Sequence, residues 1–307
     1  MRIVQADKVL PDTKWGLLMA AWKLAYHANC WGQLGGNAVG VTSITELSYR
    51  TFGAMDRAFA DIAAAGYEGV ELFDGNLLDY SAAAMRTLLA DNGLALVAAY
   101  AGGNFIFDDI LPEELARVTR AADRAAELGA PHLVVGGGAK RFDGVREADY
   151  HKLGAALDRV KAIADARSLR AHYHPHLSTI VEGPAEVAKI FDLTSIDFCP
   201  DTAHLAAAGG DPAQLIRDHA QRISYVHLKG FQKEPFTFTP LDRGQRQPLV
   251  VLHLRARVPD GRAAAFGQAA GAHGALRLAG GTRSGRPQRA RRPRSTPAEC
   301  GAARDRG

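Results

Sequence analysis

The sequence predicts an α/β fold, a (β/α)8 barrel whose eighth strand is missing or degraded, and three observations carry that prediction. Short β-like runs alternate with helical patterns every 25–35 residues from Lys23 onward, the cadence of repeated βα units around a parallel sheet. The turn after the first run, Asn29-Cys30-Trp31-Gly32, lacks the G-x-G-x-x-G loop of a dinucleotide-binding doubly wound sheet. Polar residues stand at the C-terminal end of nearly every run, and in a barrel all those ends meet at one mouth, where active sites are built.

Taken in order, the expected strands are Leu24–Ala28, Gly69–Phe73, Leu94–Ala99, His132–Val135, Arg170–Tyr173, Ile196–Cys199 and Ile223–Leu228. Helices are expected over Phe52–Ala65, Ser81–Asp91 and Pro112–Leu128, each followed by a glycine (Gly66, Gly93, Gly129) where a left-handed stop costs least. Gly136-Gly137-Gly138 reads either as room for a ligand or as a plain tight turn. After Asp242-Arg243-Gly244-Gln245 the cadence stops, and only Leu249–Leu254 resembles a strand. The organisation expected is an N-terminal extension over residues 1–22, a barrel over 23–245, and an Arg/Gly/Ala/Pro-rich tail over 246–307. A stretch such as Gly281–Arg294 cannot bury enough apolar area to offset chain entropy, so the tail is expected to be irregular. Its composition is that of a GC-rich gene read out of frame, and Met19 is an alternative start.

Composition narrows the function classes. The 307 residues suffice for a large core in one domain. The net charge of +4 is unevenly spread: residues 244–307 hold 13 Arg and three acids, leaving 24 basic against 30 acidic residues before them, about −6. A groove for nucleic acid needs the opposite sign on the folded part, so no nucleic-acid partner is expected. Cys30, Cys199 and Cys300 form no C-x-x-C pair, which argues against a disulfide framework and for a reducing cytoplasm. No apolar run approaches the roughly 20 residues of a membrane span, so no membrane association is expected.

The chemistry concentrates at strand ends. In His172-Tyr173-His174-Pro175-His176 the three imidazoles recur with period two and share one face. Asp201-Thr202-Ala203-His204 and His227-Leu228-Lys229-Gly230 end the next two strands. Mixed imidazole and carboxylate donors on rigid strands suit a divalent ion such as Mn²⁺, Co²⁺, Fe²⁺ or Zn²⁺. Glu71, between Val70 and Leu72, reads as an inward carboxylate that must be paired, ligated or used in catalysis. Glu182, just before Gly183-Pro184, is either a catalytic acid or a helix-entry acid. Trp31, Tyr100 and Phe105 are candidate pocket walls.

At these residues the chain resembles the xylose-isomerase-like barrel superfamily of sugar isomerases and epimerases, and within it the inosose dehydratases of inositol catabolism. The resemblance runs from about Leu24 to Gln245. It rests on Tyr26-His27-Ala28-Asn29-Cys30-Trp31-Gly32, Gly69-Val70-Glu71-Leu72-Phe73, Tyr173-His174-Pro175-His176, the D-T-x-H-x-x-x-x-G-x-D-P stretch from Asp201 to Pro212, and Val226-His227-Leu228-Lys229. It implies a divalent metal, Mn²⁺ or Co²⁺, on His174 or His176 together with Asp201 and His227. With His174 as the ligand, His176 joins His27, Asn29, Trp31 and Lys229 as substrate contacts, and Glu71, His204 and Glu182 are the catalytic candidates. The family's fourth ligand, a Glu on strand eight, has no counterpart, since the only Glu after residue 243 is Glu299. Glutathione is a further cofactor the resemblance brings in, and a homo-oligomer is compatible with it.

The activity implied is dehydration of inosose (2-keto-myo-inositol), by α-proton abstraction and loss of the β-hydroxyl as water. A ketose or sugar-phosphate isomerase or epimerase would pass through the same enolate. A metal-dependent endonuclease needs more ligands and a basic groove, and a truncated barrel without tight metal binding is the remaining class.

Overall fold

The computed structural model describes residues 22–35, 48–235, 237–239 and 263–268, with backbone alone at 22, 23, 35 and 263–268. All belong to one unit, Met1–His273. Eleven strands occur among the described residues: β1 Trp22–His27, β2 Leu34–Gly35, β3 Arg50–Thr51, β4 Gly69–Phe73, β5 Ala95–Gly103, β6 His132–Gly137, β7 Arg170–His174, β8 Asp197–Phe198, β9 Tyr225–Gln232, β10 Thr237–Thr239 and β11 Ala263–Gln268. Every one of the seven expected runs is a strand.

Eight of them pair in parallel as a ring. The ladder runs β9-β11-β1-β4-β5-β6-β7-β8, and a parallel bridge between Asp201 and His227 joins the chain leaving β8 to β9, with the His227 amide donating to the Pro200 carbonyl at 2.9 Å. Closure removes the unpaired edges that an open sheet exposes. The eighth place is held by β11, in register with both β9 and β1, within the segment expected to be irregular. Leu249–Leu254, the expected substitute, lies outside the described residues. The backbone ladder accepts any residue with a free N–H and C=O, so Ala263-Ala264-Ala265-Phe266-Gly267-Gln268 can fill the slot despite its weak strand composition. It carries no acid.

The alternation of the strands sorts two cores. Val70, Leu72, Leu96, Ala99, Leu133, Val135 and Tyr173 face the helices, whereas Phe73, Val97, Ala98, Tyr100, Val134, Cys199 and Tyr225 fill the barrel interior. Val97 and Ala98 are neighbours yet both point inward, because the β4–β5 register slips between Val70 and Glu71, which pair with Leu96 and Ala98. A bulge of this kind re-aims side chains locally. It falls beside Glu71. A Cβ on Gly69 would meet Val97 Cγ1 at 2.7 Å, so the glycine makes room for the bulged side chain.

Helices Met55–Ala64, Ala82–Asp91 and Leu111–Glu127 stop before Gly66, Gly93 and Gly129, all with positive φ. The first begins three residues later than expected, because Phe52 and Gly53 donate back to the Gln33 and Trp31 carbonyls. Leu111–Glu127 buries Leu115, Val118, Ala121, Ala122 and Ala125, the i, i+3, i+4 stripe of a helix laid on a sheet.

Asp74, fully buried, opens the helix Asp74–Leu78 after β4 and anchors the chain entering β3: its Oδ1 accepts from the Tyr49 and Gly75 amides at 2.8 and 3.0 Å, and Arg117 Nε is 3.7 Å from Oδ2. Burial pushes its carboxyl up to about 6, and Arg117 and the two amides offset only part of this. A carboxyl with a folded pKa above its unfolded value holds its proton more tightly in the native state. Its contribution is full below the ordinary carboxyl pKa and lost as pH rises through about 6. Asp74→Asn should therefore gain on the wild type by about 3 kcal/mol between roughly pH 4 and pH 8, read from urea midpoints. A pH-independent difference would contradict this.

Candidate active site

At the C-terminal ends of the strands the inward positions are polar. Period two on β7 turns both His172 and His174 inward, and on β9 it does the same for Tyr225, His227 and Lys229. His174 and His227 lie with ring centroids 4.7 Å apart, His176 packs on His204 at 3.8 Å, and His174 is 5.7 Å from both His176 and His204. His174, Asp201, His204 and His227 are all buried.

Asp201 explains the D-T-x-H spacing. Its Oδ1 caps helix Thr202–Ala207 by accepting from the Ala203 and His204 amides at 2.8 and 3.1 Å. The cap turns His204 back over the mouth and leaves Oδ2 facing Lys229 Nζ at 3.1 Å and His204 Nε2 at 3.9 Å. Burial opposes the charge on Asp201, and Lys229 with the imidazoles of His204, His174 and His227 more than compensates, holding its carboxyl well below the usual range. Burial lowers His204 to about 3, against the pull of Asp201 and with the help of Lys229. His204 is thus neutral near pH 7, and its Nε2 accepts from the Lys229 ammonium at 3.0 Å. The β9–β10 hairpin lays Phe238 beside this pair, 5.1 Å from the His204 ring and 4.6 Å from Lys229 Nζ.

Glu71 sits on the opposite side of His227. Oε1 is 2.9 Å from His27 Nδ1, and Oε2 is 3.1 Å from His227 Nε2 and also accepts from the Tyr225 hydroxyl. Burial works against its ionisation, and the flanking His227 and His27 outweigh this and keep it well below the usual range. Burial likewise pushes His27 and His174 down, so both are neutral donors.

The donor chemistry fits a divalent ion. Three sets of ligand atoms each lie within 4.8 Å of one another: His174, Cys199 and His227; His174, His176 and His204; and His27, Glu71 and His227. His174 and His227 each recur in two sets; Asp201 is in none of the three, and its Oδ2 lies 3.9 Å from His204 Nε2 beside the second. Neutral imidazoles with a nearby carboxylate are the donors of borderline metals, and three protein ligands suffice at a catalytic centre.

Of the other expected site residues, Glu182 and Phe105 lie apart from the cluster. Glu182 does not join the cluster: its carboxylate accepts from the Ser178 amide and pairs with Lys140 Nζ at 3.0 Å on a partly exposed loop. Trp31 Nε1 donates to Asp61 at 3.0 Å, and Asn29 Oδ1 accepts from Cys30 Sγ at 3.2 Å. Phe105 is core, fully buried among residues that face the helices. Tyr100 does line the interior, with its ring 5.8 Å from His174 and 6.4 Å from His227. Three inward residues escaped the sequence reading, Cys199, Tyr225 and His132, whose Nδ1 is 3.0 Å from His172 Nε2 beneath the site, as did Phe238 on the β9–β10 hairpin. For Cys199 and Tyr225 the signal was available, each standing two residues before an inward-facing site residue.

Gly136 keeps this wall in place, since a Cβ there would lie 2.1 Å from the Tyr100 hydroxyl. Gly136→Ala should push Tyr100 toward His174 and His227 and cost about 1–3 kcal/mol as overpacking. An unchanged melting temperature would count against it.

Residues 59–261 match the family described as xylose isomerase-like TIM barrel. The chain belongs to this family. Among curated relatives of this xylose isomerase-like barrel are an inosose dehydratase of Geobacillus kaustophilus, 27% identical over 191 residues, and inosose dehydratase 1 of Bacillus cereus, 25% identical over 195. These matches take in 57% and 59% of this chain and 61% and 64% of the relatives, so the chain spans about three fifths of their length. Solved structures of the same fold include a D-allulose 3-epimerase from Methylomonas sp. in complex with D-allulose, with a TM-score of 0.63 and 16% identity over 81% of this chain and 84% of that one. A probable 3-DHS dehydratase from Bacillus anthracis has a TM-score of 0.58 and 13% identity over 80% and 92%. At such identities the likeness concerns the fold alone.

Proposed function

We propose that this barrel is a metal-dependent hydro-lyase that removes water from inosose, with Mn²⁺ or Co²⁺ held by His174, Asp201 and His227. The observation that carries the reading is the buried arrangement of Asp201, Lys229 and His204 beside His174 and His227. It sets a neutral imidazole, an ammonium and a donor cluster side by side at one mouth. The inosose dehydratase relatives support the choice of substrate. When bound, the metal supplies Lewis acidity at the substrate carbonyl. His204, kept neutral by burial, is the base for the α-proton, which Nε2 takes once the Lys229 ammonium turns from it to the substrate. Lys229, oriented by Asp201, donates to a substrate oxygen. His176, packed on His204, lines the approach. The hairpin residue Phe238 covers the Lys229–His204 pair and limits water there.

The test compares metal-stripped protein with protein reloaded with Mn²⁺ or Co²⁺, with and without glutathione, on inosose and on a panel of ketohexoses. Metal-dependent consumption of inosose above all ketohexoses supports the reading. Turnover that is indifferent to chelation, or confined to ketohexoses, contradicts it.

A further inference from the structure

We infer that Glu71 is a positioning residue behind the metal centre: it fixes the imidazole of His227 with the proton on Nε2, so that Nδ1 is the nitrogen offered to the ion. The inference rests on the metal reading above.

The geometry is specific. Glu71 is wholly buried; Oε2 accepts from the Tyr225 hydroxyl and is hydrogen-bonded to His227 Nε2 at 3.1 Å, and Oε1 faces His27 Nδ1 at 2.9 Å. A carboxylate only accepts, so the ring nitrogen hydrogen-bonded to it, His227 Nε2, carries a proton. A neutral imidazole has one N–H, and fixing it at Nε2 leaves the lone pair on Nδ1. Metal-binding histidines commonly use one nitrogen for the ion and give the other N–H to a carboxylate, which sets tautomer and ring orientation. Three strands build the arrangement: β1 brings His27, β4 brings Glu71 at its bulge, and β9 brings Tyr225 and His227 two residues apart. The carboxylate is thereby held from three directions, as a part that orients a ring must be.

The same positions weigh against the two rival roles of Glu71. As a direct ligand through Oε2 it would have to approach an ion to about 2.0–2.2 Å, giving up the Tyr225 hydroxyl and the His227 Nε2 that hold that oxygen. As a general base it would need an oxygen open to substrate, whereas each one faces a side chain of the barrel wall.

The experiment uses Glu71→Gln and Glu71→Ala in the full chain, each checked by circular dichroism. In ¹⁵N-histidine-labelled metal-free protein, long-range ¹H–¹⁵N spectra report the tautomer of His227. The Nε2–H form is expected in the wild type and in Glu71→Gln, whose amide oxygen still accepts, and the preference is lost in Glu71→Ala. In Mn²⁺ titrations followed by electron paramagnetic resonance, Glu71→Ala should bind about 10–100-fold more weakly than the wild type, the usual cost of removing a partner behind a ligand. Glu71→Gln should recover most of that loss. Equal loss in both variants would make Glu71 a ligand and overturn the inference, and unchanged Mn²⁺ affinity in Glu71→Ala would overturn it as well. If the wild type binds no Mn²⁺ or Co²⁺, the metal reading fails, and the tautomer spectra still decide whether Glu71 orients His227.

Discussion

His227→Ala and Asp201→Ala should each abolish tight binding of Mn²⁺ or Co²⁺, with affinity falling by more than the roughly 100-fold that marks the loss of a partner behind a ligand. His227 stands on β9 and Asp201 caps the helix that follows β8, the two joined by the bridge that closes the ring, so neither can substitute for the other. Asp201→Ala has a second effect, since Oδ1 caps helix Thr202–Ala207 and its loss costs about 1 kcal/mol. It also leaves the buried Lys229 ammonium without its carboxylate. Asp201→Asn separates the effects, because the amide oxygen keeps the cap and the charge is gone. Metal content after dialysis, measured by mass spectrometry, should be near zero for His227→Ala and Asp201→Ala and much reduced for Asp201→Asn. Wild-type metal content in Asp201→Ala would remove Asp201 from the ligand set.

His204→Ala should show the reverse pattern, with metal affinity retained and turnover lowered by about 10²–10⁴, the usual contribution of a positioned acid or base. Its Nε2 is engaged with Lys229, and its ring packs on His176 and under Phe238. The loss should fall on kcat more than on KM, because a proton transfer is made in the transition state and not in the ground state. A parallel loss of metal would instead make His204 part of the His174, His176 and His204 donor set.

Much of this architecture was legible because it is periodic. Seven strands and the αL stops at Gly66, Gly93 and Gly129 follow from hydrophobic alternation and glycine placement, both local properties. The convergence of His174, Asp201, His204 and His227 follows from strand-end polarity once a barrel is assumed. What escaped depends on contacts distant in sequence. The slip at Glu71 and Ala98 is invisible in Leu96-Val97-Ala98-Ala99, where inward and outward residues are equally apolar. Tyr225 reaches Glu71 across 154 positions, and only the closed ring brings them together. Glu182 looked like a helix-entry acid as much as a catalyst, and Lys140, 42 positions away in the chain, engages it on the loop. The eighth strand, Ala263–Gln268, was unreadable because its place is set by the open ladders of β9 and β1 and not by its own composition.

The most direct test of the central claim is the product formed from inosose by metal-loaded protein in D₂O, followed by proton NMR. The account predicts loss of water to an unsaturated, dione-type product, abolished by His227→Ala and strongly slowed by His204→Ala. Deuterium incorporation next to the carbonyl with the hydroxyl retained, giving an epimer or an isomer and no eliminated product, would contradict it.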